Sequence, residues 1–272
     1  MENTDLIRNL DDPRLAVYKS LKAKPSPKSE IFIAESLPVV KKLLNTDIKI
    51  LSCLTTERIF KKIGSLLSEK KRDFPVYLMR RADIEDMIGA RFHMKIMMAA
   101  EIPERRDSLD RIKRIDHPHM ITALNGVHDP QNVGLLIRNA AAFGTDLLMI
   151  DNMTYEPFYR KSVRISLGAL FSIPTAYENN LPQTLKTLKK DFGTRIMVST
   201  PSEKAEDLRK TDFSGNICIV LGNEACGVGA DVLETADTLV RVPHKKHAAD
   251  SLNVACSGAV LLYSAFAARN SA

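Results

Sequence analysis

The chain is sparing with cysteine: four in 272 residues, at Cys53, Cys218, Cys226 and Cys256, with no Cys-x-x-Cys spacing. They sit mostly in apolar runs, which reads as buried free thiols in a reducing compartment. Histidine is scarce too. Of the six, the close pairs His117/His119 and His244/His247 lack the companion ligands that tetrahedral zinc needs, so no metal site is expected. No apolar run is long enough for a bilayer: VACSGAVLLYSAFAA (254–268) falls short of a span and is broken by serine and glycine. The amino terminus, MENTDLIRNLDDPR, has no basic-then-apolar leader pattern. A cytoplasmic protein without membrane attachment is the expectation. No Gly-Lys pair occurs, which excludes a phosphate-binding P-loop. Gly227 and Gly229 do not complete a dinucleotide fingerprint, because Val232 stands where a third glycine is needed. No solenoid-length repeat is visible.

What is present is a globular balance, 44% hydrophobic and 26% charged residues, in a chain long enough for two ordinary domains. The net charge of +6 leans towards an anionic partner, of which nucleic acid is the commonest.

The pattern divides the chain in three. Residues 1–105 are expected to form a small α/β domain. In it IFIAES, IKILSCLTT, FPVYLM and RFHMKIMMAAEI read as strands, separated by the helical periods of LPVVKKLLN, ERIFKKIGSLLSEKK and RADIEDMIG. Residues 106–118, dense in charge with little apolar period, read as a linker. From 119 to 272 longer elements alternate. MITALNGV, DLLMI, FSIPTAY, TRIMVST, NICIVLG and TLVRVP are strands; 131–144, LPQTLKTLKKDF, ADVLETA and the carboxyl-terminal SLNVACSGAVLLYSAFAA are helices. Such alternation predicts a parallel sheet covered on both faces.

Ligands of open parallel sheets gather at the carboxyl ends of strands, and three such ends carry unusual residues. In NGVHDPQNVGLLIRNAAAFG, Gln131 or Asn132 can cap a helix whose buried stripe is Val133, Leu136, Ile137, Ala140 and Phe143. Gly134 and Arg138, four apart, share a face away from the centre of that stripe. A glycine there costs helix stability and is explained by something approaching that face. Arg138 is then either a solvated charge or the group that addresses what approaches; the helix alone does not decide. In ICIVLGNEACGVG a buried strand ends in flexible glycines, with Glu224 as a negative charge at its tip, consistent with a ligand loop or an ordinary turn. In VRVPHKKHAADSLNVACSGAVLLY a basic loop leads to a helix begun by Asp250 or Ser251, with Asn253 in its first turn. Ala255, Gly258 and Ala259 invite close packing of that helix, within the fold or across a dimer.

Taken in this order, the three stretches resemble the SpoU/TrmH class of SPOUT RNA methyltransferases. NVGLLIRNAAAFG is similar to its first motif through Asn132, Gly134, Arg138, Phe143 and Gly144; LGNEACGVG resembles the second through Gly222, Asn223, Glu224 and Gly227. VPHKKHAADSLNVACSG resembles the third through Pro243, Ser251, Leu252 and Asn253, and SVRISLGALFSIP the family's Ser-x-Gly-Ala segment. The likeness covers residues 120–268; the amino-terminal part resembles by layout the family's small ribosomal-protein-like substrate-binding domain. It implies an α/β fold whose parallel sheet ends in a carboxyl-terminal trefoil knot, S-adenosylmethionine bound there, and a homodimer with active sites drawn from both chains. The cofactor positions so implied are Thr200, Leu221, Gly222, Asn223, Gly227, Val242, Pro243, Ser251, Leu252 and Asn253. Two departures stand out: Ala225 follows the glutamate where the family has glycine. Val-Pro-His with Lys245 and Lys246, and one extra residue, replaces Ile-Pro-Met.

The reaction implied is methyl transfer to a ribose 2′-hydroxyl, which requires RNA rather than DNA. Arg138, the family's essential arginine, stays protonated and is a poor base. It suits gripping a phosphate and stabilising alkoxide charge, supported by Asn132, while Glu224, Ser251 and Asn253 orient loops and ribose. The extra amino-terminal domain favours ribosomal over transfer RNA. A transfer-RNA enzyme, or an RNA-binding protein that has kept the fold without catalysis, are the alternatives.

Overall fold

The computed structural model describes residues 4–19, 30–69, 74–93, 95–104, 108–245 and 251–270. These form two compact units, Met1–Pro103 with Phe158–Phe171, and Glu104–Pro157 with Ser172–Ala272.

The first unit opens with a short edge strand, β1 (Thr4–Leu6), and a single helical turn, α1 (Ala16–Lys19). Then come β2 (Ile31–Glu35), α2 (Leu37–Leu44), β3 (Ile50–Thr55), α3 (Glu57–Glu69), β4 (Val76–Leu78), α4 (Arg81–Ile88) and β5 (Ile96–Glu101). The sheet order is β1-β4-β3-β5-β2, with β5 antiparallel to both neighbours and β1, β4 and β3 parallel. No sequence pattern anticipates β1: three residues carry no period, and its partner Val76–Leu78 lies far along the chain. Its core gathers Leu15, Tyr18, Leu54, Ile84 and Met97. Burial is felt at Cys53, whose thiol is pushed up to about 12 by desolvation.

The second unit starts at Glu104 and takes in the whole stretch read as a linker. There α5 (Ser108–Ile112) puts Ile112 into the core, 2% exposed, so part of the charged joint is structural. Then come β6 (Met120–Asn125), α6 (Pro130–Ala142) and β7 (Leu147–Asp151). The cap of α6 is neither Gln131 nor Asn132: the Asp129 carboxylate accepts from the Gln131 N–H at 2.8 Å, and Pro130 follows at the first helical position.

Sequence order puts the next helix, α7 (Arg160–Ile165), in the second domain, but it packs with the first unit. Phe158 and Phe171 flank the buried Phe32 of β2 at ring distances of 5.1 and 5.6 Å. Arg164 Nη1 donates to the buried Glu35 carboxylate at 2.8 Å. The Ser-x-Gly-Ala likeness is therefore spent on packing in that unit.

The second unit continues with β8 (Thr175–Glu178), α8 (Leu181–Phe192), β9 (Arg195–Ser199), a two-residue β10 (Glu206–Asp207) and β11 (Ile217–Gly222). It closes with α9 (Ala230–Leu233), β12 (Thr238–Arg241) and α10 (Val254–Asn270). All seven strands are parallel, in the order β10-β12-β9-β11-β6-β7-β8. The chain lays β6, β7 and β8 outwards, crosses over to β9, and brings β11 back between β9 and β6. That reversal leaves a crevice at the carboxyl ends of the central strands. Every residue of β11 is buried, which explains its unbroken apolar run. Helix α10 lies on α6 and β11 so closely that a Cβ at Gly258 would stand 2.6 Å from Leu136 Cδ2 and 3.0 Å from Leu221 Cδ1. Asn139 Nδ2 donates to the Ala255 carbonyl at 3.0 Å, and Arg269 at the far end donates to the carbonyls of Pro118 and Gly215.

Two further expectations change. Cys53 and Cys218 are buried, but Cys226 and Cys256 are exposed. Helix α10 begins at Val254, with Asn253 as its cap and not in its first turn: Asn253 Oδ1 accepts from the N–H of Ala255 at 2.9 Å and of Cys256 at 3.3 Å. Asp250, His247 and Lys246 lie outside the described residues. No helix among the described residues is long and apolar enough to cross a membrane.

Candidate active site

The three strand ends singled out by sequence converge through a hydrogen-bond relay. Asn253 Nδ2 donates to Asn132 Oδ1 at 3.0 Å, and Asn132 Nδ2 donates to Glu224 Oε1 at 2.5 Å. The cap of α10, the first turn of α6 and the loop after β11 are thus tied together by one buried amide. Asn132 is 6% exposed, so both its polar atoms need partners, and the side chains of Asn253 and Glu224 supply them. Asparagine suits the middle position because its amide donates to a carboxylate and accepts from a second amide at once.

Asn223 shapes the loop that carries Glu224. Its backbone exchanges bonds with Gly227 at 2.9 and 3.0 Å, and its Oδ1 accepts from the N–H of Ala225 and Cys226. Its Nδ2 reaches the Gly126 carbonyl at 2.8 Å and His128 Nδ1 at 3.2 Å. The turn folds so tightly onto β11 that a Cβ at Gly222 would lie 2.6 Å from the Gly227 carbonyl carbon and the Val228 nitrogen. Glycine is required there by close approach of backbone to backbone.

Under this turn is a cavity of about 390 Å³. Gly222, Asn223, Glu224 and Gly227 form one wall; Thr200, Val242, Ser251 and Leu252 come from the ends of β9 and β12 and the start of α10. Eight predicted residues therefore line one space, from strand ends brought side by side by the sheet order. A model of the SpoU rRNA methylase family matches residues 119–263, the whole of this constellation.

The chain belongs to the SpoU rRNA methylase family. It is similar to an uncharacterized tRNA/rRNA methyltransferase of Mycobacterium tuberculosis, 30% identical over 264 residues that cover 93% of this chain and 88% of that one. The 23S rRNA guanosine-2′-O-methyltransferase RlmP of Bacillus subtilis is 25% identical over 262 residues, 94% of this chain and 97% of that one. Among solved structures, an AdoMet-bound rRNA methyltransferase from Sinorhizobium meliloti superposes with a TM-score of 0.82 at 24% identity, over 96% of this chain and 97% of that one.

Other expected SpoU residues stand apart from the cavity wall. Leu221 is fully buried, its side chain against α10, so only its backbone can meet a ligand. Pro243 is half-buried beside the lining residues Val242 and His244. Arg138 is exposed on α6, and its side chain makes no hydrogen bond or ion pair with a described residue. Gly134 is buried, so the pair does not share an open face as their spacing suggested.

Some of the site was not legible. Asp151 at the end of β7 accepts from Asn125 Nδ2 at 2.7 Å, the Gly126 N–H at 3.1 Å and Thr154 Oγ1 at 2.7 Å; Asn125 Oδ1 in turn accepts from the Gly229 N–H at 2.8 Å. This network holds the loops after β6 and β11 at a common height. His128 carried no signal of its own, Cys226 was read only as a thiol, and His244 only as half of a histidine pair and as a departure from the family's Pro-Met.

Proposed function

We propose that this SpoU-family chain transfers a methyl group from S-adenosylmethionine to a ribose 2′-hydroxyl of RNA. The observation that carries the reading is the Asn253–Asn132–Glu224 relay at the rim of the cavity, which joins all three motif loops. The residues fit the cofactor. The cavity lies within the usual range for small ligands, roughly 300–1,000 Å³. Its walls combine apolar Leu233, Leu252 and Val254 with polar Thr200, Ser251 and the backbone around Gly222. When bound, the group supplies an activated methyl carbon. Thr200, Val242 and Leu252 hold the adenosine end, with the Leu221–Asn223 and Gly227 backbone and Pro243 completing the loop walls. Glu224, Ser251 and Asn253 position the ribose, and Asn132 keeps Glu224 and Asn253 in register. Arg138, always charged, grips the neighbouring phosphate and stabilises charge developing on oxygen.

The reading includes a homodimer. Its support is an exposed apolar face on α10, where Val260, Tyr263 and Phe266 are 40, 57 and 39% exposed and the two aromatics cluster with Phe143. Apolar surface of that kind marks association. A second copy seated there brings Arg138 of one chain to the cavity of the other. The trefoil knot belongs to the same reading, supported by β11 inserted between β9 and β6 and by α10 closing over α6. Residues 1–105, which make up most of the first unit, are the RNA-substrate domain, and the enzyme works in the cytoplasm without a metal. Ribosomal RNA is preferred over transfer RNA, because similarity to RlmP extends over nearly the whole chain. The test is methyl transfer in vitro from labelled S-adenosylmethionine to purified ribosomal and transfer RNA, followed by nucleoside mass spectrometry. A 2′-O-methyl nucleoside from ribosomal RNA supports the reading. One from transfer RNA alone moves the substrate, and cofactor binding without transfer to any RNA overturns the activity.

A further inference from the structure

Asp151 is a buried carboxylate, 6% exposed, and no cation pairs with it among the described residues. Hydrogen bonds alone must then compensate its lost hydration. Four donors supply them, divided unevenly between its two oxygens. Oδ1 accepts from the Gly126 N–H at 3.1 Å, the Thr154 N–H at 2.8 Å and Thr154 Oγ1 at 2.7 Å. Oδ2 accepts from Asn125 Nδ2, at 2.7 Å.

Strand register explains how a residue of β7 reaches the cavity. Leu124 pairs with Ile150 and Asn125 with Gly222, so Gly222, Asn125 and Asp151 stand in one row across β11, β6 and β7. Asp151 does not line the cavity, but its two partners on β6 and the following loop hold the wall. Asn125 Oδ1 accepts from the Gly229 N–H at 2.8 Å, and the Gly126 carbonyl accepts from Asn223 Nδ2 at 2.8 Å. Both ends of the turn 223–229, which puts Asn223, Gly227 and Val228 into the wall, therefore hang on residues that Asp151 fixes.

We infer that Asp151 is a positioning residue for the cofactor, acting through Asn125 and Gly126 on this turn. The inference rests on the methyltransferase reading above, in which the turn holds S-adenosylmethionine. What the pair requires is one acceptor facing one donor, whichever strand supplies each. Asp151→Asn sets two amide nitrogens against each other. Turning the new amide over only brings its nitrogen to the three donors that Oδ1 satisfied. Asn125→Asp sets two carboxylate oxygens against each other. The double exchange restores every bond. The amide now on β7 keeps its oxygen for Gly126 and Thr154 and gives its nitrogen to the carboxylate now on β6, whose other oxygen still accepts from Gly229.

The test joins amide exchange to cofactor binding. In the wild-type protein without ligand, the exposed Gly229 N–H should be protected from hydrogen exchange, because its acceptor is the Asn125 side chain. Calorimetric titration should show S-adenosylmethionine affinity lowered about tenfold in each single variant. The double variant Asp151→Asn/Asn125→Asp should return to within about threefold of wild type. Urea midpoints establish that each protein is folded; a purely structural pair would move the midpoint and leave the affinity of folded protein alone. If the single variants do not fold, the double variant decides alone. Free exchange at Gly229, single variants that bind as wild type does, or a double variant that does not recover overturns this inference and leaves the methyltransferase reading intact. A wild type that binds no cofactor removes both.

Discussion

Gly222 is where the backbone of the cavity wall has least room. Replacing it with alanine places a Cβ 2.6 Å from the Gly227 carbonyl carbon, the Val228 nitrogen and Val228 Cγ2. Ordinary carbon contacts are about 3.5–4.0 Å, so the turn must retreat by roughly 1 Å. Two of the three obstacles are main chain and cannot rotate away. The turn is held on β11 by the paired bonds between Asn223 and Gly227, at 2.9 and 3.0 Å. Losing both costs about 1–3 kcal/mol, and residual overpacking about 1–3 kcal/mol more. Gly227→Ala is the control: its φ of +72 strains an alanine, but no atom lies within 4 Å of the added carbon. Its cost is about 1–2 kcal/mol, from the left-handed backbone alone. Urea unfolding followed by far-ultraviolet circular dichroism gives the two stabilities. Calorimetric titration with S-adenosylmethionine should show at least a tenfold loss of affinity for Gly222→Ala, because the displaced wall is the cavity's. The reasoning fails if Gly222→Ala matches Gly227→Ala in stability, or binds cofactor as wild type does.

Arg138→Ala should lower methylation about 100- to 1,000-fold while cofactor affinity by calorimetry stays within twofold; retained transfer removes the role given to this arginine. A thiol reagent at pH 8 should modify Cys226 and Cys256 quickly in the folded protein. Cys53 and Cys218, whose thiols burial pushes up, should react only after urea; a third fast thiol would contradict the packing. His119 is held below its ordinary value, chiefly by burial, with Arg269 and His117 adding to the shift and Asp146 opposing it. Its neutral ring pairs with Thr194 Oγ1 at 2.8 Å. The unfolded chain therefore takes up the proton first on acidification, so this stabilisation is present above about pH 6.5 and is lost as pH falls through the folded value. Urea midpoints at pH 7.5 and 5.5 should differ more for wild type than for His119→Gln, and equal differences would refute the assignment.

The elements legible from sequence were those with a long period or a sharp boundary. The unbroken apolar run of β11, the stripe of α6 and the helical period of LPQTLKTLKKDF in α8 needed no tertiary knowledge. The two- and three-residue strands β10 and β1 escaped, because a pairing that short leaves no pattern in one segment. Ile112 escaped because its charged neighbours hide a single buried side chain, and Phe158–Phe171 because its partners, Phe32 and Glu35, lie over a hundred residues earlier.

The sequence by itself determined which chemistry-bearing residues this chain has and that they end strands of a parallel sheet. Asn132, Glu224 and Asn253 were visible as types at recognisable spacings. That one amide bonds the other two was decided only by the sheet order, which brings β11 back beside β6 and lays α10 across both.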